Sequence, residues 1–98
     1  LLFTANVATA KTTLDLGEAL GVSPTSLAEV IKSGSANSYA LGSIAQFGGS
    51  LDVLAQVAAG LLKKDVGLVA DLAEKANAGP GAVLDAADAA LQLMGNPR

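Results

Sequence analysis

Apolar side chains at Phe3, Val7, Ala10 and Leu14 step by four and then three residues, the spacing of one face of an α-helix. The same period returns along the chain, and nothing alternates in steps of two over a useful length, so no strand is needed. The expectation is an all-α domain, a helical bundle of about five helices. Only 3% of residues are aromatic although 51% are hydrophobic, so the core has to be built from Ala, Leu and Val. Small side chains suit closely spaced helices. At 98 residues the chain makes one domain, near the size at which a core often relies on a partner for further burial.

Breaks in the pattern divide the helices. Gly21 can take the left-handed conformation that closes a helix cheaply, which ends the first one. Leu16 and Leu20 widen its stripe and suggest burial on more than one side. Ser23-Pro24 reads as an N-cap followed by a proline in the first helical position. It opens a short helix with Leu27, Val30 and Ile31 inward, ending near Gly34. Residues 33–38 form a polar loop or the start of the next helix, which carries Tyr39, Leu41, Ile44 and Phe47, with Tyr39 and Phe47 expected in the core or at an interface. Gly48-Gly49-Ser50 is the clearest break, with Ser50 as a cap. A long helix from Leu51 to about Asn77 follows, with a kink or split expected near Gly60. Gly79-Pro80-Gly81 ends it, and a last helix turns Val83, Ala87, Leu91 and Met94 inward and Asp85 and Asp88 outward.

Several function classes drop out. A net charge of -3 and a pI near 4.5 disfavour nucleic acid. Without Cys or His there is no disulfide, no thiol nucleophile, no imidazole acid–base group and no soft metal site. Every apolar run is interrupted before it is long enough to span a bilayer. No glycine cluster has the spacing or the preceding strand of a dinucleotide loop. Ser33-Gly34-Ser35 reads as a turn rather than an anion site, and Lys11, among apolar residues, as a lysine that snorkels to water. Helical periodicity is already running at Leu1, as if the chain were entered mid-helix, and this predicts a piece of a longer protein.

One residue departs from the pattern. At 100° per residue, Leu61, Leu62, Val66, Leu68, Val69, Leu72, Ala73 and Ala76 fall within an arc of roughly 160°, and Asp65 falls inside it. A carboxylate there is costly unless hydrogen-bonded or paired. Lys64 sits just outside the arc, near Asp71 and Lys75. Either Asp65 accepts hydrogen bonds from a neighbouring helix N-terminus and Lys64 is a surface lysine, or the two edge a polar site completed by groups outside this chain.

Lys64-Asp65-Val66-Gly67-Leu68-Val69 resembles the Lys-Asp-Leu-x-Leu-Ala helix motif of the 3-hydroxyisobutyrate / 6-phosphogluconate dehydrogenase superfamily. Residues 1–6 resemble the helix that follows that family's Lys-x-x-Asn-Asn motif. Residues 15–24 resemble its Leu-Gly-Leu-Asp-Pro stretch, and Gly34-Ser35-Ala36-Asn37-Ser38 its Gly-Ser-Gly-x-Ser turn. The matches keep the family's order and rough spacing over nearly the whole chain.

The resemblance implies that residues 1–98 are the C-terminal helical domain of a two-domain, cytoplasmic, NAD- or NADP-dependent dehydrogenase acting on a small 3-hydroxy acid or related semialdehyde. A Rossmann domain upstream would hold the cofactor, and the helical domain would close the active site and form a homodimer. It assigns Lys64 a contact to cofactor and Asp65 a supporting catalytic role. The main catalytic lysine and asparagine are expected upstream of Leu1, so the piece alone should not turn over. No metal is implied. Thr12-Thr13 replaces the family's usual Glu-Ala without touching the chemistry; Val57 stands about where several members place a Phe lining the substrate pocket, which leaves the substrate open, and because these residues do not include the catalytic lysine the imine-reducing branch stays open as well. The reading from another class is a free-standing helical interaction module without chemistry.

Overall fold

The computed structural model describes residues 1–98, which form five helices with their connections and short ends, and no strand. They are α1 (Leu2–Ala19), α2 (Pro24–Lys32), α3 (Tyr39–Ala45), α4 (Asp52–Lys75) and α5 (Gly81–Leu93). The all-α architecture expected from the periodicity is the one observed.

α1 is the strut on which the others assemble. It buries Thr4, Ala5, Val7, Ala8, Ala10, Leu14 and Gly17, and α2, α3 and α5 all pack on it. Half of the 16 buried hydrophobic residues are alanines, which lets helix axes approach closely. The larger side chains at the centre are Leu14, Leu41, Ile44 and Leu91, each almost wholly out of water. α5 contributes Ala87, Ala90, Leu91 and Met94, the face read from the sequence. α4 packs chiefly on α5, and the molecule is elongated, 44 × 27 × 20 Å.

Local chemistry sets most boundaries. Gly21 takes φ +88°, the Gly21 N–H donates to the Glu18 carbonyl at 3.0 Å, and the Val22 N–H donates to the Gly17 carbonyl at 2.8 Å. That pair of bonds satisfies the end of α1 and needs a residue without a Cβ penalty at the turn. Asn77, at φ 56°, closes α4 with the same pair of bonds. The Ser23 hydroxyl accepts from the Ser26 N–H at 3.1 Å with Pro24 in the first turn, and Ser38 caps α3 by accepting from the Leu41 N–H at 3.1 Å. Residues 33–38 are therefore the loop between α2 and α3.

Four expectations are corrected. α4 runs unbroken through Gly60, because no proline or inserted group interrupts its ladder and a glycine can hold helical angles. The N-cap position of α4 is Leu51 rather than Ser50, although the Ser50 hydroxyl accepts from the Asp52 N–H at 3.1 Å. Val30 faces solvent, while Leu27 and Ile31 turn inward as expected and Ala28 joins them; Tyr39 is exposed and Phe47 nearly half exposed, so neither belongs to the core, and the Tyr39 ring lies 6.1 Å from the Phe3 ring, tilted to it. Leu16 and Leu20 are also exposed, since nothing covers that side of the C-terminal end of α1.

Candidate functional site

The middle of α4 carries both residues singled out by the sequence. Its apolar arc is wider than one neighbouring helix can cover, and the structure splits it. Val66 is fully buried, and Leu62, Val69 and Ala73 are partly buried on the same side. Val57, Leu61, Leu68 and Leu72 form a second ridge that remains 53–75% exposed. Asp65 stands at the margin of this outer ridge and is exposed, as is Lys64 on the opposite margin. The carboxylate is therefore not embedded within this chain, and no helix N-terminus approaches it.

Neither group has a partner. The ion pairs of the chain lie elsewhere, Lys11 Nζ to Asp15 Oδ1 at 2.8 Å and Arg98 Nε to Asp88 Oδ1 at 2.6 Å. Lys11 thus ends on an acid one turn along its helix. Side chains of consecutive helical residues diverge by about 100°, so Lys64 and Asp65 flank the ridge rather than touch. Gly60 and Gly67 lie one turn before and one turn after Lys64, and a Cβ added to either would meet nothing within 4 Å. The arrangement offers one cation, one carboxylate and an open stretch of helix to whatever approaches from outside. By itself it has no hydroxyl or thiol nucleophile, and its ammonium and carboxylate are not paired with each other. Nowhere does the chain gather three acidic side chains as a metal site would need.

A second depression escaped the sequence reading. A cleft of about 250 Å³ lies between α1 and the α2–α3 loop, with Asn6, Thr9 and Thr13 on one wall and Asn37 and Ser38 on the other. The signal was available, since polar residues at 6, 9 and 13 share a helical face. The Thr9 and Thr13 hydroxyls are already used, donating to carbonyls of their own helix. The cleft holds no charge and is the weaker candidate.

No helix is long and apolar enough to cross a membrane. No curated protein and no solved structure matches the chain. The sequence profile described as the NAD-binding domain of NADP-dependent 3-hydroxyisobutyrate dehydrogenase matches residues 1–96. That is nearly the whole chain, and it takes in all five helices and the Lys64-Asp65 pair together. The chain belongs to this family of domains from NAD(P)-dependent, 3-hydroxyisobutyrate dehydrogenase-like oxidoreductases.

Proposed function

We propose that residues 1–98 are the C-terminal helical domain of a cytoplasmic two-domain enzyme that transfers hydride between NAD or NADP and a small 3-hydroxy acid or related semialdehyde. The family match over residues 1–96 carries this reading, together with the unpaired, exposed placement of Lys64 and Asp65 on α4. The helices contain no strand-to-helix glycine turn on which a pyrophosphate could rest. What they offer fits a contact to a cofactor held by another body: an exposed ammonium on a stretch of helix where a Cβ at 60 or 67 would meet nothing.

In this reading a Rossmann domain outside the chain holds the cofactor, and nicotinamide supplies or receives the hydride. Lys64 donates hydrogen bonds to acceptors on the cofactor. Asp65, an acceptor when ionised, orients the catalytic ammonium contributed from outside these residues. The helical domain closes over the reacting groups and excludes water from them. The domain alone is inactive.

The test is made in the full-length enzyme. Lys64→Ala is expected to raise KM for the nicotinamide cofactor by about 10-fold or more, the scale of one charge-assisted hydrogen bond. Asp65→Asn is expected to lower kcat by a similar factor with little change in cofactor KM. Wild-type kinetics in both variants would remove these roles. The exposed α4 ridge also suits a second reading, a helical interaction module without catalysis. Asp65→Leu separates the two, because it abolishes turnover under the first reading and leaves a pure binding role intact under the second.

A further inference from the structure

We propose that the cleft between α1 and the α2–α3 loop is a second ligand site, which takes a compact, uncharged polyol carrying hydroxyls on neighbouring carbons.

The cleft lies where the chain departs from its own way of packing. Elsewhere α1 meets its neighbours through apolar side chains such as Ala5, Val7, Ala8 and Leu14. Toward the loop it turns Asn6, Thr9 and Thr13, spaced by three and four along one face. Asn and Thr are poor helix formers, and none of the three hydrogen-bonds across to the loop, so they do not hold the walls together. They leave a concavity of about 250 Å³ with the buried Ala10 and Leu41 at its floor. An apolar floor under a few convergent polar groups is the common build of a small-molecule site.

The hydrogen-bonding capacity left over on each wall sets the ligand class. The Thr9 hydroxyl donates to the Asn6 carbonyl at 3.2 Å, and the Thr13 hydroxyl to the Thr9 carbonyl at 2.6 Å. Each threonine then offers the cleft only oxygen lone pairs, so the α1 wall accepts. Ser38 is the reverse. Its oxygen accepts from the Leu41 N–H at 3.1 Å and its own hydrogen is free, so the loop wall donates. The Asn6 and Asn37 carboxamides have no partner in the chain and can do both. An occupant spanning the cleft must donate to one wall and accept from the other. Hydroxyl groups do both, whereas a ketone cannot donate.

No charged residue lines the cleft. An ion there would give up water and gain no counter-charge, which removes carboxylates, phosphates and ammonium ions. The same reasoning excludes the anionic substrate of the proposed reaction, so this is not the catalytic site. Lys64 and Asp65 stand on α4, which packs chiefly on α5 and not on these walls. The loop wall is set in advance. The Ser33 hydroxyl donates to the Val30 carbonyl at 2.9 Å, and the Asn37 N–H donates to the Gly34 carbonyl at 3.3 Å. With Ser38 held as the cap of α3, little ordering remains to oppose binding.

An NMR titration of the 98-residue chain, whose core is complete within these residues, tests the site. The probes are erythritol and erythronate, the same carbon chain ending in a carboxylate. Erythritol is expected to shift the side-chain amide signals of Asn6 and Asn37 saturably, with a Kd of about 1–10 mM, the range open to so small a ligand. Erythronate should bind at least about 10-fold more weakly. Asn6→Ala should raise the Kd for erythritol about 10-fold, and it keeps the fold because Ala is the better helix former. Thr13→Val, which removes an acceptor and leaves the shape, should raise it about 3-fold. Asn96→Ala, outside the cleft, should leave it unchanged. Shifts that stay linear in concentration, or that spread over the whole surface, overturn the site. Equal affinity for erythronate, or a Kd unchanged in Asn6→Ala or in Thr13→Val, overturns the assignment of its walls. None of these readouts uses turnover, Lys64 or Asp65, so the site and the proposed function stand or fall separately.

Discussion

α1 and α4 are built from the same few residue types and do opposite things. α1 buries seven of its 18 residues, on sides that face α2, α3 and α5, and leaves Leu2 and Leu16 exposed near its two ends. α4 is longer, at 24 residues, and buries only Ala59 and Val66, while large apolar side chains stand in water along its outer side. A helix with apolar residues on two sides is stable only where both sides are covered. α1 has that cover within the chain along its middle. α4 has half of it, and the uncovered half carries Lys64 and Asp65. Hydrophobic content therefore does not separate scaffold from contact surface in this molecule; the position of neighbouring helices does.

The contrast is broken most directly by making one substitution in both places. Leu14→Ala removes a side chain that is 1% exposed on α1 and should cost about 2–5 kcal/mol, transfer and cavity terms together. Leu61→Ala removes one that is 63% exposed on α4 and should change the stability of the chain by less than about 0.5 kcal/mol. Urea unfolding at low micromolar concentration measures both. Equal losses would mean that α4 is covered within the chain, and that its ridge is core.

What the sequence made legible was whatever is decided within a few residues. The Ser23-Pro24 start, the Gly21 stop and the inward face of α5 all follow from local chemistry, and the structure has them. Facing was legible only where one side of a helix is apolar. On α4 the arc holding Leu61, Leu62, Val66, Leu68, Val69 and Leu72 was wide enough for two neighbours, and no periodicity says which neighbour is present. Asp65 consequently read as embedded and proves exposed. Val30 and Tyr39 stand outside the core for a related reason: both lie near the ends of short helices, and no neighbouring helix buries them. The site residues were found through a motif, and their roles depend on groups that five helices do not contain.

Capping gives effects of intermediate size on the scaffold side of the comparison. Ser23→Ala and Ser38→Ala each leave an N–H, of Ser26 and of Leu41, without its acceptor. Each should cost about 1 kcal/mol, and the two should add, since they cap different helices. Ser50→Ala at the start of α4 should cost less, because Ser50 lies outside the cap position. An equal loss at all three would place the α4 start in the same cooperative unit as α2 and α3.

Glycines sharpen the same contrast with opposite signs. A Cβ at Gly60 meets nothing within 4 Å, so Gly60→Ala should stabilise the chain by about 0.5–1 kcal/mol through helix propensity alone. A Cβ at Gly17 on α1 would come to 2.5 Å from Leu27 Cδ2, so Leu27 has to move and the propensity gain is offset or reversed. Thermal melts of the two variants should shift in different directions, or the Gly17 melt should stay in place while the Gly60 melt rises. A Gly60→Ala loss would show that α4 is already contacted closely at that turn in solution.

The smallest effect belongs to the far end of the chain. Arg98 Nε and Nη2 reach the two oxygens of Asp88 at 2.6 and 3.0 Å and hold the tail against α5. The hydrogen bond to Asp88, with the charges of Asp88 and Asp71, raises the Arg98 pKa, partly opposed by desolvation. A raised folded-state value means the contribution is complete below the ordinary arginine range and fades only as pH climbs through it. The pair is therefore constant across neutral pH. Both side chains are 35% exposed, so solvent screens most of the attraction. Arg98→Ala should cost no more than about 0.5 kcal/mol, and the difference should vanish in 1 M salt. A larger loss that persists in salt would mean that the tail packs on α5 by apolar contact, making the C-terminus part of the scaffold rather than an appendage to it.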